Sequence, residues 1–340
     1  MSEGSAGPWD RQAVAPLAGP RVNATDFLAA QRANRSNTVW LILVLLLLGA
    51  GVGYSLGAFL EAYLGTAIRP DVQASPLGVM LGGGMVSIGL IASAVTFAAG
   101  GKVILSITGA QEASRDEQPM LHNVVEEMAI AAGIPKPKVY LLDTDVPNAF
   151  ATGMEPKNAA IGVTRGLLTT LNREELQGVI GHETGHILNW DTRYMTAVAI
   201  LVGLIALVCD GARRMLWYGG GRAGGGRDRK GSAGPLLLIF IIFAILAPIA
   251  AQFVRFAVSR QREYLADATA VQLTRNPLGL IGALEKLEAL ARPFQGANRA
   301  TQHMFIVNPI REFGADVGAL MATHPPLAAR IERLRNLGRV

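Results

Sequence analysis

The chain has a single cysteine, Cys209, five histidines, and only 17% charged residues over its 340 positions. One thiol excludes an intramolecular disulfide. It also excludes a cysteine-built metal site, so any zinc must be held by His, Glu or Asp. The shortage of charge stands against 50% hydrophobic residues, too apolar for an ordinary soluble enzyme, and points to an integral membrane protein. The net charge of +5 is modest, and no arginine-rich stripe is interleaved with aromatics. That argues against a nucleic-acid partner and assigns the positive charge to membrane flanks. There is no internal repeat. Nor is a cleavable signal peptide expected, because the first apolar run starts too late and runs too long.

The hydrophobic residues fall in runs. Residues 1–36 are polar and at first rich in Pro and Gly, which predicts a flexible N-terminal arm. Trp40 to Leu60 is uncharged and long enough to cross a hydrocarbon core of about 30 Å, and residues 76–100 form a second such run. Both lie in a two-helix membrane unit over 37–101. Gly53 and Gly57 are spaced for close helix packing.

Residues 102–194 are soluble in character. Pro119 to Ala132 has Leu121, Val124, Val125, Met128 and Ala129 along one face of a helix that Gly133 is placed to end. Val139–Leu142 and Ala159–Val163 read as strands. The run from Met195 to Cys209 is short for a span and is expected to continue the preceding helix. With the basic glycine-rich loop 219–234 and the run Pro235–Val254, it makes a hydrophobic hairpin over 195–256. Residues 257–340 return to soluble character.

The segment Val179 to Asp191 organises the rest. Two histidines four positions apart on a helix, His182 and His186, lie about 40° apart around its axis. Both imidazoles therefore reach one metal ion from the same face, and Glu183 can serve as general base beside them. A catalytic zinc needs a third protein ligand. Glu263, on a helix well downstream, is a candidate, with Asp267 one turn further to orient a ligand histidine. Spacing alone leaves a second reading open, in which Arg260, Arg262 and Glu263 form a solvated charge cluster.

His182-Glu183-x-x-His186-x-x-Asn189-x-Asp191 and Ser259-Arg260-x-Arg262-Glu263-Tyr264-x-Ala266-Asp267 resemble the HtpX-type membrane metalloproteases, relatives of the CAAX prenyl endopeptidases. Asn148–Gly153, Val163–Leu168 and Thr323-His324-Pro325-Pro326 extend the resemblance over roughly residues 100 to 335. It implies a mainly α-helical membrane protein, with transmembrane helices and a zincin-like α+β catalytic domain built on a small sheet. The catalytic domain would have its first part at 102–194 and its second at 257–340. The resemblance further implies one zinc ion per chain on His182, His186 and Glu263, Glu183 as base, and Asp267 as orienter. His324 and Arg330 would lie near the substrate carbonyl.

The implied activity is that of a zinc endopeptidase in a bacterial inner membrane, facing the cytoplasm, with misfolded or unassembled membrane proteins as polypeptide substrates. Substrate would lie extended along Asn148, Ala149, Phe150 and Ala151, or along Ala159–Val163, adding its backbone to a sheet edge. The competing reading is a non-catalytic, metal-stabilised membrane scaffold or chaperone-like protein. Arg32 and Arg35 before the first run, with Lys102 and Arg115 after the second, favour a cytoplasmic N-terminus and catalytic part.

Overall fold

The computed structural model describes residues 26–63, 74–201, 203, 260–290, 301, 304–306 and 325–337. The glycine-rich loop, the fourth apolar run, Cys209 and His324 lie outside the described residues, as does the question of whether 195–254 crosses the bilayer.

Two long helices come first, α1 (Asp26–Tyr63) and α2 (Pro76–Thr108). Their segments Ala29–Glu61 and Pro76–Thr108 are long and apolar enough to cross a membrane. Apolar side chains such as Trp40, Leu47, Met80, Ile88 and Ile91 point outward from the protein. A soluble protein would bury such surface, whereas lipid accepts it. The helices meet backbone to backbone. A Cβ added to Gly57 would lie 2.5 Å from the backbone of Gly78, and one on Gly53 2.6 Å from the Leu81 carbonyl oxygen. Ser75 caps α2, its Oγ accepting from Gly78 N at 2.9 Å. Glu61, at the end of the apolar stretch of α1, accepts from Ser75 Oγ and Leu77 N. A carboxylate at the start of a helix satisfies donors that the helix itself leaves free.

Helix formation begins at Asp26, so the part of the expected arm between 26 and 36 is helical. The second helix likewise runs past residue 100 to Thr108, where Gly109 ends it at φ 71°. Both extensions carry the chain beyond the apolar runs into the catalytic part.

There β1 (Gln111–Glu112), β2 (Lys138–Leu142), β3 (Ala149–Thr152) and β4 (Ala160–Thr164) form one sheet in the order β1-β2-β4-β3. β2 and β4 are parallel, and the other two pairs are antiparallel. α3 (Pro119–Ala132) places the five expected apolar residues in the core, and Gly133 closes it at φ 65°. The left-handed conformation there lets the cap N–H reach the last free carbonyls.

After the short α4 (Arg165–Thr170) comes α5 (Arg173–Leu188), which bears the histidines. Asn172 and Glu175 start it with a reciprocal capping box, and Lys286 Nζ donates to Glu175 Oε2 at 2.7 Å. α5 is buried along most of its length, between the sheet, α3, α7 (Arg260–Thr274) and α8 (Pro277–Leu290). α8 comes so close that a Cβ on Gly178 would sit 2.6 Å from Leu280 N.

The histidine helix does not continue into the third apolar run. It stops at Leu188, the chain turns at Asn189–Trp190 with Trp190 at φ 62°, and a new helix, α6, starts at 191. A large side chain in the left-handed region is uncommon, and surrounding contacts must hold it there. The last described helix is α9 (Leu327–Leu337).

Candidate metal centre

His182 and His186 project from α5 toward Glu263 on α7. Their ligand atoms all lie within 4.8 Å of one another, and all three residues are buried. Glu263 Oε2 is 3.7 Å from His182 Nε2, and Oε1 is 3.7 Å from His186 Nε2. Glu263 is thus turned into the protein, while its neighbour Arg260 is exposed. The solvated-cluster reading fails for Arg262 as well, whose Nε lies 3.3 Å from buried Asp191.

Each histidine has its own carboxylate. His182 Nδ1 donates to Asp267 Oδ1 and His186 Nδ1 to Asp191 Oδ2, both at 2.9 Å. Carboxylates only accept, so both imidazoles carry a proton on Nδ1 and turn Nε2 inward. The two Nε2 atoms are 3.1 Å apart. Two lone pairs at that distance repel unless a cation lies between them. Burial and the Arg330 charge pull His182 down to about 4. Burial also pulls on His186, but the Asp191 hydrogen bond and the charges of Glu263, Asp191 and Glu183 overcome it and raise it to about 9. A proton or a metal ion between the two nitrogens relieves that repulsion. The donor set fits a metal ion, since the tetrahedral edge between two nitrogens bound at ~2.0–2.1 Å is about 3.3 Å.

Glu183, the residue between the histidines that faces this cluster, is 1% exposed. Burial raises it to about 7, and the Ala151 N–H hydrogen-bonds its carboxylate. Its Oε2 has no hydrogen-bond partner. Orphaned buried oxygens are rare and costly, and this one is left with acceptor capacity for a group that the described residues do not supply.

Arg330 lies beside the cluster. It is fully buried, donating to Asp267 through Nε at 2.9 Å and Nη2 at 2.6 Å, with Nη1 3.4 Å from Glu263 Oε2. Its guanidinium is held by Asp267 and Glu263, beside the His182 and His186 cluster. Burial would raise Asp267, but the Arg330 charge and the His182 and Arg330 hydrogen bonds hold it below its usual value. Arg330→Leu is expected to destabilise the metal-free protein by about 3–5 kcal/mol, the cost of leaving a buried partner unpaired. Chemical denaturation in detergent measures it.

The sheet-edge residues are placed differently from expectation. β4 is interior, flanked by β2 and β3, so Ala159–Val163 offers no edge. β3 is an edge strand, but Asn148, Ala149, Phe150 and Ala151 are all buried. Phe305 bridges to Phe150 in antiparallel fashion, and Ile306 N donates to the Ala149 carbonyl at 3.0 Å. The chain's own residues 304–306 lie where a substrate strand was expected. Asp191 is the functional residue whose role was missed. Its signal was local, because it lies five positions after His186, just past the helix end.

The profile of peptidase family M48 matches residues 115–338. The protease HtpX homologue of Caldanaerobacter subterraneus is 52% identical over 238 residues, covering 69% of this chain and 78% of that protein. The protease HtpX homologue of Streptococcus gordonii is 42% identical over 311 residues, 90% of this chain and 98% of that protein. The crystal structure of Ste24p from S. mikatae aligns over 90% of this chain and 67% of its own, with a TM-score of 0.45 and 18% identity. A buried His-His-Glu cluster, an acidic residue beside it and two membrane helices thus come with extensive sequence identity to proteases. The chain is a membrane metalloprotease and belongs to peptidase family M48.

Proposed function

We propose that the protein is a zinc-dependent endopeptidase of a bacterial inner membrane, facing the cytoplasm, that cleaves misfolded or unassembled membrane proteins. The observation that carries this reading is Glu183, buried, raised to about 7, and with Oε2 unpartnered beside the three-donor cluster. His182, His186 and Glu263 would hold the zinc, a donor set of the three-ligand kind that catalytic zinc uses. Zinc bound there supplies Lewis acidity to a water and to the peptide carbonyl. Glu183 takes the proton of the attacking water at Oε2 and hands it to the leaving amine nitrogen as the C–N bond breaks. Ala151 N–H keeps that carboxylate aimed. Asp267 and Asp191 hold the imidazoles, and Arg330 balances the charge of Asp267 and Glu263. By the resemblance of Thr323-His324-Pro325-Pro326, His324 would donate to the oxyanion. An extended substrate adds to β3 by displacing residues 304–306.

The first turns of α1 bond to the end of α5, and α2 leads directly into β1. The catalytic part therefore belongs on the side of the membrane where α1 begins. Arg32 and Arg35 favour the cytoplasm as that side. At ~1.5 Å per residue the 33-residue segment Ala29–Glu61 is ~50 Å long. It outreaches the hydrocarbon core, which leaves its first turns for the protein.

The test incubates purified full-length protein with an unfolded membrane protein and maps the new termini by mass spectrometry. Internal cleavage should stop in chelator and return with zinc. Cleavage that persists in chelator would reject the reading. A metal-stabilised scaffold would hold the same substrate uncut, and such a site gains nothing from a buried Glu183.

Metal uptake has its own pH signature. His186 is raised, so its proton competes with the ion at neutral pH and is lost only as pH climbs through about 9. Uptake should release a proton, and apparent affinity should grow about tenfold per pH unit below that value. Competition with a chelator between pH 6 and 9 measures it, and a flat profile would contradict the upward shift of His186.

A further inference from the structure

The start of α1 does more than precede a membrane span. Helix α5 ends with carbonyls that have no partner within the helix. α1 supplies the donors. Gln31 Nε2 donates to the Leu188 carbonyl at 2.8 Å. Asn34 Nδ2 uses both its hydrogens, one on the Asn189 carbonyl at 3.0 Å and one on Asp191 Oδ1 at 2.6 Å. Both acceptors are oxygens, so the amide nitrogen must face them. The Arg35 guanidinium lies 3.9 Å from the ring centroid of Trp190, the residue held at φ 62°. Asn34 is 2% exposed. Its main-chain carbonyl accepts from Thr38 Oγ1 at 2.8 Å. About two helical turns beyond Asn34, Leu41 packs among Tyr194, Ala197, Val198 and Leu201.

Asp191 is the carboxylate that fixes His186. One oxygen takes the Nδ1 proton, and the other takes Asn34 Nδ2, with Arg262 Nε at 3.3 Å. A continuous line thus runs from the membrane helix through Asp191 to an inward-facing Nε2.

We propose that Asn34 is a positioning residue of the metal centre, acting through Asp191 on His186, so that the centre is complete only while α1 is docked. This rests on the metal-centre reading above. The first span is then a structural member of the active site. Displacing it in the bilayer would turn His186 away from Glu263 and weaken metal binding without touching a ligand.

The test titrates metal-stripped full-length protein in detergent with Zn²⁺ against a competing chelator, and with Co²⁺, whose visible absorption reports the ligand geometry. Asn34→Ala should lower zinc affinity about tenfold, at the lower end of the range for partners of ligand histidines. It should also shift the Co²⁺ spectrum in the same direction as Asp191→Ala. Asn34→Asp should do at least as much, because it sets a second carboxylate against Asp191 and removes the donor. It preserves side-chain volume and carries the test should Asn34→Ala fail to fold. Leu41→Ala loosens helix docking without touching Asp191, so it should lower the thermal midpoint and cost less affinity than Asn34→Ala. Adding Asn34→Ala to Asp191→Ala should cost nothing further, since residues acting through one partner are not additive. Parental affinity in Asn34→Ala, an equal loss in Leu41→Ala, or a further loss in the double variant would each overturn the proposal. A parent protein that binds neither ion would overturn the metal-centre reading itself.

Discussion

Glu183→Gln protein is expected to keep its metal at close to the parental level and to cleave polypeptide at least ~10²-fold more slowly, as loss of a general base requires. The side chain is buried beside His182 and His186, and glutamine preserves its volume and its ability to accept from Ala151 N–H. What disappears is the site for a proton. The amide cannot take one from water, nor return one to the leaving nitrogen. Metal content and cleavage rate are read on the same preparation, so a folding defect would show as loss of both. Parental activity in this variant would remove Glu183 from the mechanism.

Glu263→Ala should have the opposite signature, with metal lost first and activity lost as a consequence. Removing a ligand should cost more than the ~10–100-fold in affinity expected for a supporting carboxylate such as Asp267. The buried Arg330 complicates this variant, because its Nη1 lies 3.4 Å from Glu263 Oε2. Alanine would leave that charge resting on Asp267 alone and open a void. Glu263→Gln separates the two effects by keeping the volume while removing the anionic ligand. Both variants should bind metal poorly, and Gln should keep more of the thermal stability. Metal affinity like the parent's in Glu263→Gln would leave the two histidines without their carboxylate partner and reject the three-donor site.

Much of this was legible along the chain because it depends on neighbours in sequence. Helix α3 declares itself through apolar residues spaced to one face, and Gly133 ends it as any glycine with access to positive φ can. The pair His182 and His186 shares a face by helical geometry alone. The membrane helices follow from uninterrupted apolar length, and the Gly53–Gly57 spacing from the need of two backbones to touch. Boundaries were less legible. An apolar run marks where lipid is, whereas a helix ends where its hydrogen bonds end, and α1 and α2 both continue into the protein.

The sequence by itself determined the class of chemistry, namely two imidazoles and a carboxylate base on one helical turn in a chain with two membrane helices. Tertiary structure alone decided how that turn is completed. Whether Glu263 faces inward, which carboxylates Arg330 meets, and which carboxylate holds His182 depend on how α7 and α9 lie against α5. No periodicity within any one of these elements records that. The same holds for the break at Trp190 and for Asn34, whose partners lie more than 150 positions away. A buried polar group must find a partner wherever the packed chain presents one. Local pattern shows which groups will be buried, and only the packing of distant elements chooses the partners.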